Sequence, residues 1–181
     1  MIIITGHHLY NGKASFGSFS QVTGYDIEWT GAEIYVGQSH SKEYEVSETN
    51  YWMTSSTTVA GWIGSGTKTS SSEYGPFLTN KNAEIYPVIQ NEHSGESMPL
   101  PDRADYTFLD PGDRTPRDPD LRNQYIRQYI DTYGDPQWNW SLLDVHHVRP
   151  LSYGGGNNFE NLFAMPREMH QQIVTPWWTN Y

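Results

Sequence analysis

Three consecutive glycines, Gly154, Gly155 and Gly156, lie between two apolar stretches near the C-terminus, and no other feature narrows the folding options of this chain as much. A run without side chains reaches positive φ at no steric cost and loses the most entropy inside a helix or strand, so it marks a tight loop. The glycines are therefore expected to supply backbone freedom rather than chemistry. The loop returns 161–164 (NLFA) against 142–148 (LLDVHHV) as a pair of strands. Pro166 suits the first position of a following helix, where its missing N–H needs no partner, and Glu168 sits in the first turn as the macrodipole prefers. Thr175-Pro176 is expected to end that helix after about two turns.

His146, His147 and His170 fall within this strand–loop–strand–helix unit. Adjacent strand residues point to opposite sides, so His146 and His147 do not converge easily on one ion. The simpler reading gives them separate tasks, one binding a metal and the other working as a base beside it. His170, brought back by the hairpin, can supply a second ligand across from His146. Water and a phosphate oxygen would complete the shell of a hard divalent ion. His7-His8 lacks every downstream feature of this unit, and His40 and His93 stand alone in polar surroundings. All four are read as ordinary surface residues.

The run Asp144 to His170 combines a His-His pair, Pro150-Leu151, the glycines, Asn161-Leu162 and a helical histidine nine positions after Asn161. It resembles the HNH (His-Me finger, ββα-metal) endonuclease family over residues 140–175 of 181. The resemblance implies that His146 and His170 are metal ligands and that His147 is the general base. It implies that Asn161 pins the loop and orients the base, that Arg149, with Arg167, contacts a phosphate, and that Asp144 supports a histidine. Members with three histidine ligands carry another four positions past the helical one, where this chain has Val174. Two protein ligands favour one Mg2+ or Mn2+ ion, with Ni2+ and Zn2+ as alternatives. Members with a structural zinc carry paired cysteines, and this chain has no cysteine at all.

The implied activity is hydrolysis of DNA phosphodiester bonds with little sequence specificity, as in the warhead of an antibacterial toxin. That setting implies a delivery or immunity protein as partner and the target cytoplasm as the site of action, reached without a signal peptide. A phage or mobile-element HNH endonuclease is the second reading. A non-catalytic binding module with a degenerate finger is the third. The opening Met-Ile-Ile-Ile-Thr-Gly has no basic region ahead of it and is not read as a signal peptide. No apolar run approaches the roughly 20 residues that a membrane span needs, so a soluble protein is expected.

The formal charge of −10 runs against nucleic-acid binding, which usually rests on a basic footprint. The imbalance is uneven: residues 1–120 hold seven Lys and Arg against sixteen Asp and Glu, whereas 121–181 hold four against five. All seven arginines lie at or beyond Arg103. The acidity of the first part argues for a protein partner there rather than a grip on DNA.

Residues 1–97 read as a β-rich region of unassigned role. Strands are expected at 25–29, 32–36 and 84–89 and through 51–68, where β-branched and aromatic residues alternate with Gly and Ser. Residues 98–119, dense in Pro, Asp and Arg, read as a linker or surface strap. From 120 to 134 the four-residue repeat Leu121, Tyr125, Tyr129 predicts a helix, capped by Asp118 or Asp120 and stopped by Gly134 and Pro136. A strand is expected over 138–148, and Trp177-Trp178 are expected to pack against the finger. The fold class is α+β: a β-rich N-terminal region, a helix, and a C-terminal ββα-metal finger within 120–181.

Overall fold

The Thr-, Tyr- and Trp-rich N-terminal sequence forms four long strands: β1 (Ile2–Gly12), β2 (Ser20–Thr30), β3 (Asn50–Trp62) and β4 (Ser65–Thr79). They make one antiparallel sheet in the order β2-β1-β3-β4. β1 runs in register with β3 from Ile2 opposite Gly61 to Gly12 opposite Tyr51. The computed structural model describes residues 1–35, 37–62 and 64–181, and within them the chain is mixed α+β, as its composition predicts. The sheet is anchored at one end, where Tyr51 and Leu78 are fully buried, while β2 is exposed along most of its length.

The expected strand at 25–29 lies within β2. The one at 32–36 is instead opened by a short 3-10 turn, Gly31–Glu33, tied by the Glu33 carboxylate accepting from the Thr30 N–H at 2.9 Å. Val36 of that stretch lies outside the described residues, as does Ile63 in 51–68, which is otherwise the β3–β4 hairpin. Residues 84–89 form no continuous strand. Pro87 has no N–H to give, and the segment is held by single bridges, with the Tyr86 N–H donating to the Leu78 carbonyl at 2.7 Å.

The C-terminal part holds helix α1 (Leu121–Tyr133), strands β5 (Leu143–His147) and β6 (Leu162–Pro166), and helix α2 (Arg167–Met169). A π-helical turn, His170–Val174, continues α2 into α3 (Thr175–Thr179). Thr175-Pro176 therefore does not end the helix. The Thr175 N–H donates five residues back to the His170 carbonyl, and this wider turn takes up the proline that a regular α-helix would reject. Likewise β5 begins only at Leu143, because Trp140–Leu142 forms a 3-10 turn capped by the Asn139 side chain.

β5 and β6 pair antiparallel, with His146 opposite Phe163 and His147 opposite Leu162. β6 is buried on both faces, and its alternation divides its residues between two cores. Leu162 and Ala164 pack with Tyr125 and Tyr129 of α1. Phe163 and Met165 join Val174, Trp177, Trp178 and Tyr181 in a larger cluster with Tyr51, Leu78 and Tyr86. The 98–119 segment is extended apart from one turn at Pro111–Asp113, and it adds Met98 and Ala104 to the larger cluster. No helix among the described residues is long and apolar enough to cross a membrane.

Candidate active site

β5 alternates its side chains, so Asp144 and His146 share one face and His147 takes the other. The helix after β6 places His170 beside the first face. The His146 and His170 rings lie 5.0 Å apart, centroid to centroid. His146 is 6% exposed, and its Nε2 is a buried atom with no hydrogen-bond partner among the described residues. Burial, and then the neighbouring His170 and His147, push its pKa down to about 3, so the ring is neutral at ordinary pH.

Asp144 braces His170. Its carboxylate accepts from His170 Nδ1 at 3.0 Å and from Arg167 Nε at 3.1 Å. Partial burial opposes ionisation of Asp144, but those two donors outweigh it and hold the carboxyl below its ordinary range. A carboxylate only accepts, so Nδ1 of His170 carries the proton and Nε2 is its free nitrogen. Arg167 also donates to the Ser141 carbonyl at 3.0 Å, so its guanidinium is occupied with Asp144 and the backbone.

His147 is half-buried, and its Nε2 lies 3.0 Å from Asn157 Oδ1. Burial lowers its pKa, the Asn157 contact opposes this, and the nearby Arg117 charge lowers it further. Asn161 grips the loop: its Oδ1 accepts from the Arg149 N–H at 2.8 Å, and its Nδ2 donates to the carbonyls of Arg149 and Gly156 at 3.0 and 2.8 Å. The side chain of Arg149 turns elsewhere. It donates to the Tyr153 carbonyl at 2.7 Å and stacks 4.2 Å above the Tyr106 ring, outside the histidine cleft.

That cleft has a volume of about 1260 Å³ and is lined by Asp144, His146, His147 and His170. Residues from 108–119 and the start of α1 also line it and contribute Arg114, Arg117 and Arg122. Arg122 is tied to the Trp140 and Leu143 carbonyls, and Arg114 to the Leu109 carbonyl. Arg117 is exposed and has no ion-pair or hydrogen-bond partner among the described residues. Residue spacing missed Asn157 and these three arginines. The crowding of every arginine beyond residue 102 was the only signal of the latter.

His146, whose Nε2 has no partner among the described residues, and His170, its ring centroid 5.0 Å away, are the residues that could hold a divalent ion. Among the described residues no group of three or more His, Cys, Asp or Glu side chains is arranged to hold a metal. The two imidazoles would therefore need water or substrate oxygens to complete a shell. No protein-family model, curated protein or solved structure matches this chain.

Proposed function

We propose that this protein is a metal-dependent endonuclease of the HNH type that hydrolyses DNA phosphodiester bonds with little sequence specificity. The observation that carries the reading is the placement of three differently held histidines around one cleft. His146 is buried and neutral, His170 is braced beside it by Asp144, and His147 is separately oriented by Asn157. His146 and His170 would hold one divalent ion, Mg2+ or Mn2+ first, which when bound stabilises negative charge on a phosphate and its leaving oxygen. His147, kept neutral by burial, removes a proton from the attacking water. Arg117 meets the phosphate with an unpaired guanidinium, while Arg114 and Arg122 add positive charge to the cleft. Asn161 keeps the loop closed so that His147 stays in place.

The sequence resemblance supports the same chemistry and supplies the biological setting. The domain would act as a toxin warhead in the cytoplasm of a target cell, delivered and restrained by protein partners. The test is nicking of supercoiled plasmid with Mg2+, Mn2+, Ni2+, Zn2+ or chelator. A positioned general base contributes about 10²–10⁴-fold, so His147→Ala is expected to lose at least about 100-fold in rate with the fold intact by circular dichroism. Nicking by His147→Ala at the parent rate, or no nicking with any metal, would falsify the proposal.

A further inference from the structure

We infer that Asn157 fixes the tautomer of His147, so that the proton-accepting atom of this site is Nδ1. The inference rests on the reading of His147 as the base and specifies which of its nitrogens acts. Asn157 Nδ2 donates to the Pro116 carbonyl at 2.9 Å. Reversing the amide would set its oxygen against that carbonyl oxygen, two acceptors with no proton between them. The Pro116 carbonyl therefore decides which end of Asn157 faces His147, and it is the oxygen, 3.0 Å from Nε2. An amide oxygen only accepts, so Nε2 must carry the hydrogen. A neutral imidazole has a single N–H, which leaves the lone pair on Nδ1. Nδ1 makes no hydrogen bond to any described residue, and among the described residues Asn157 alone bonds the ring.

The proton step then balances on named atoms. An O–H bond of water breaks, the proton joins the Nδ1 lone pair, and the electron pair stays on the oxygen, which bonds to phosphorus as the P–O bond to the leaving oxygen breaks and that oxygen keeps its electron pair. The resulting imidazolium goes on donating Nε2–H to Asn157. Asn157 is thus a positioning residue that acts through His147, the role a third group plays behind an activated base. The Pro116 contact also draws the 98–119 segment into the site, because a backbone carbonyl 41 positions before Asn157 sets the amide.

The test is a two-bond ¹H–¹⁵N correlation spectrum of histidine-labelled, metal-free protein at a pH where the rings are neutral, with His147 assigned by its loss in His147→Ala. Wild type is expected to show the Nε2–H pattern. Asn157→Ala should show a mixture of tautomers and lose about 10–100-fold in plasmid nicking, the usual scale for removing an orienting partner. Asn157→Asp keeps an oxygen facing Nε2 but sets its second oxygen against the Pro116 carbonyl, so it should keep Nε2 protonated while recovering only a small part of the rate. An Nδ1–H pattern in wild type overturns the inference, and so does an unchanged pattern in Asn157→Ala. The wild-type spectrum decides the matter even if a variant does not fold. An Nε2–H pattern in a protein that fails to nick with every metal tried sustains the tautomer and removes the nuclease reading, so the two failures are distinct.

Discussion

His146 holds a buried, neutral imidazole, and this has a consequence for acid stability. In the unfolded chain the group titrates near 6.5, whereas burial first, and then His170 and His147, lower the folded value to about 3. Between those values the unfolded state binds a proton that the folded state refuses. Stability is therefore full above the unfolded value, falls as pH drops through 6.5, and stops falling on this account near 3. One such group changes stability by at most about 1.4 kcal/mol per pH unit. His147, also lowered, adds in the same direction, and Asp144 adds only below the ordinary carboxylate range. Urea midpoints of the metal-free protein should fall across this window, and His146→Gln should flatten the profile by the share of one proton. An identical slope in the variant would show that His146 is not a buried neutral ring. The three histidines were legible in the sequence because strand alternation and the returning hairpin are local rules. Asn157 and Arg117 were not, because their partners Pro116 and His147 are distant in sequence, and only the folded chain brings them together.

The β5–β6 loop separates three glycines that look alike in the sequence. Gly154 has φ of 81°, which favours glycine, whereas Gly155 and Gly156 do not lie in the left-handed region. Gly155 is needed for a different reason: a β-carbon there would overlap the Arg149 carbonyl oxygen and crowd Asn161 Nδ2 at 3.0 Å. Those are the groups through which Asn161 closes the loop. At Gly156 a β-carbon would meet only the flexible Asn158 side chain, at 3.0 Å. Gly155→Ala is expected to destabilise by more than about 2 kcal/mol and Gly156→Ala by less than about 1 kcal/mol. Thermal melts of the pair check this, and equal losses would refute the close-approach argument. Asn161→Ala, which strands the Arg149 N–H and two carbonyls, should cost about 1–3 kcal/mol and lower the nicking rate through the displaced loop. Helix α1 was legible because Leu121, Tyr125 and Tyr129 repeat at helical spacing, and both tyrosines are buried. The continuation through Pro176 was not, since a π-helical turn leaves no mark in the residue pattern.

At the scale of the whole chain, the aromatic content announced a core without saying where it would form. The composition break at 98–119 suggested two regions, yet the larger cluster draws Tyr51, Leu78 and Tyr86 from before it and Trp177, Trp178 and Tyr181 from the C-terminus. Trp177 is 2% exposed, meets the Tyr86 ring edge-on at 4.8 Å, and donates its indole N–H to the Glu84 carbonyl at 2.7 Å. Lys81 adds contacts to the last residues, donating from Nζ to the Tyr181 carbonyl at 2.8 Å and from its N–H to the Asn180 carbonyl at 3.0 Å. The helix carrying His170 is thus clamped at its far end by the N-terminal region. Separating the two would open the larger cluster on both, so neither part keeps that cluster closed alone. One calorimetric transition is expected for the intact chain. Trp177→Ala should lower its midpoint by roughly 10 °C, given a cost of about 3–5 kcal/mol and about 2–4 °C per kcal/mol at this size. Because the cluster is shared, the variant's near-UV circular dichroism and the proposed plasmid nicking should be lost over one temperature range. Two separable transitions in wild type would mean that the β5–β6 hairpin and its following helix fold without the N-terminal sheet and that the shared cluster is not what holds His170 in place.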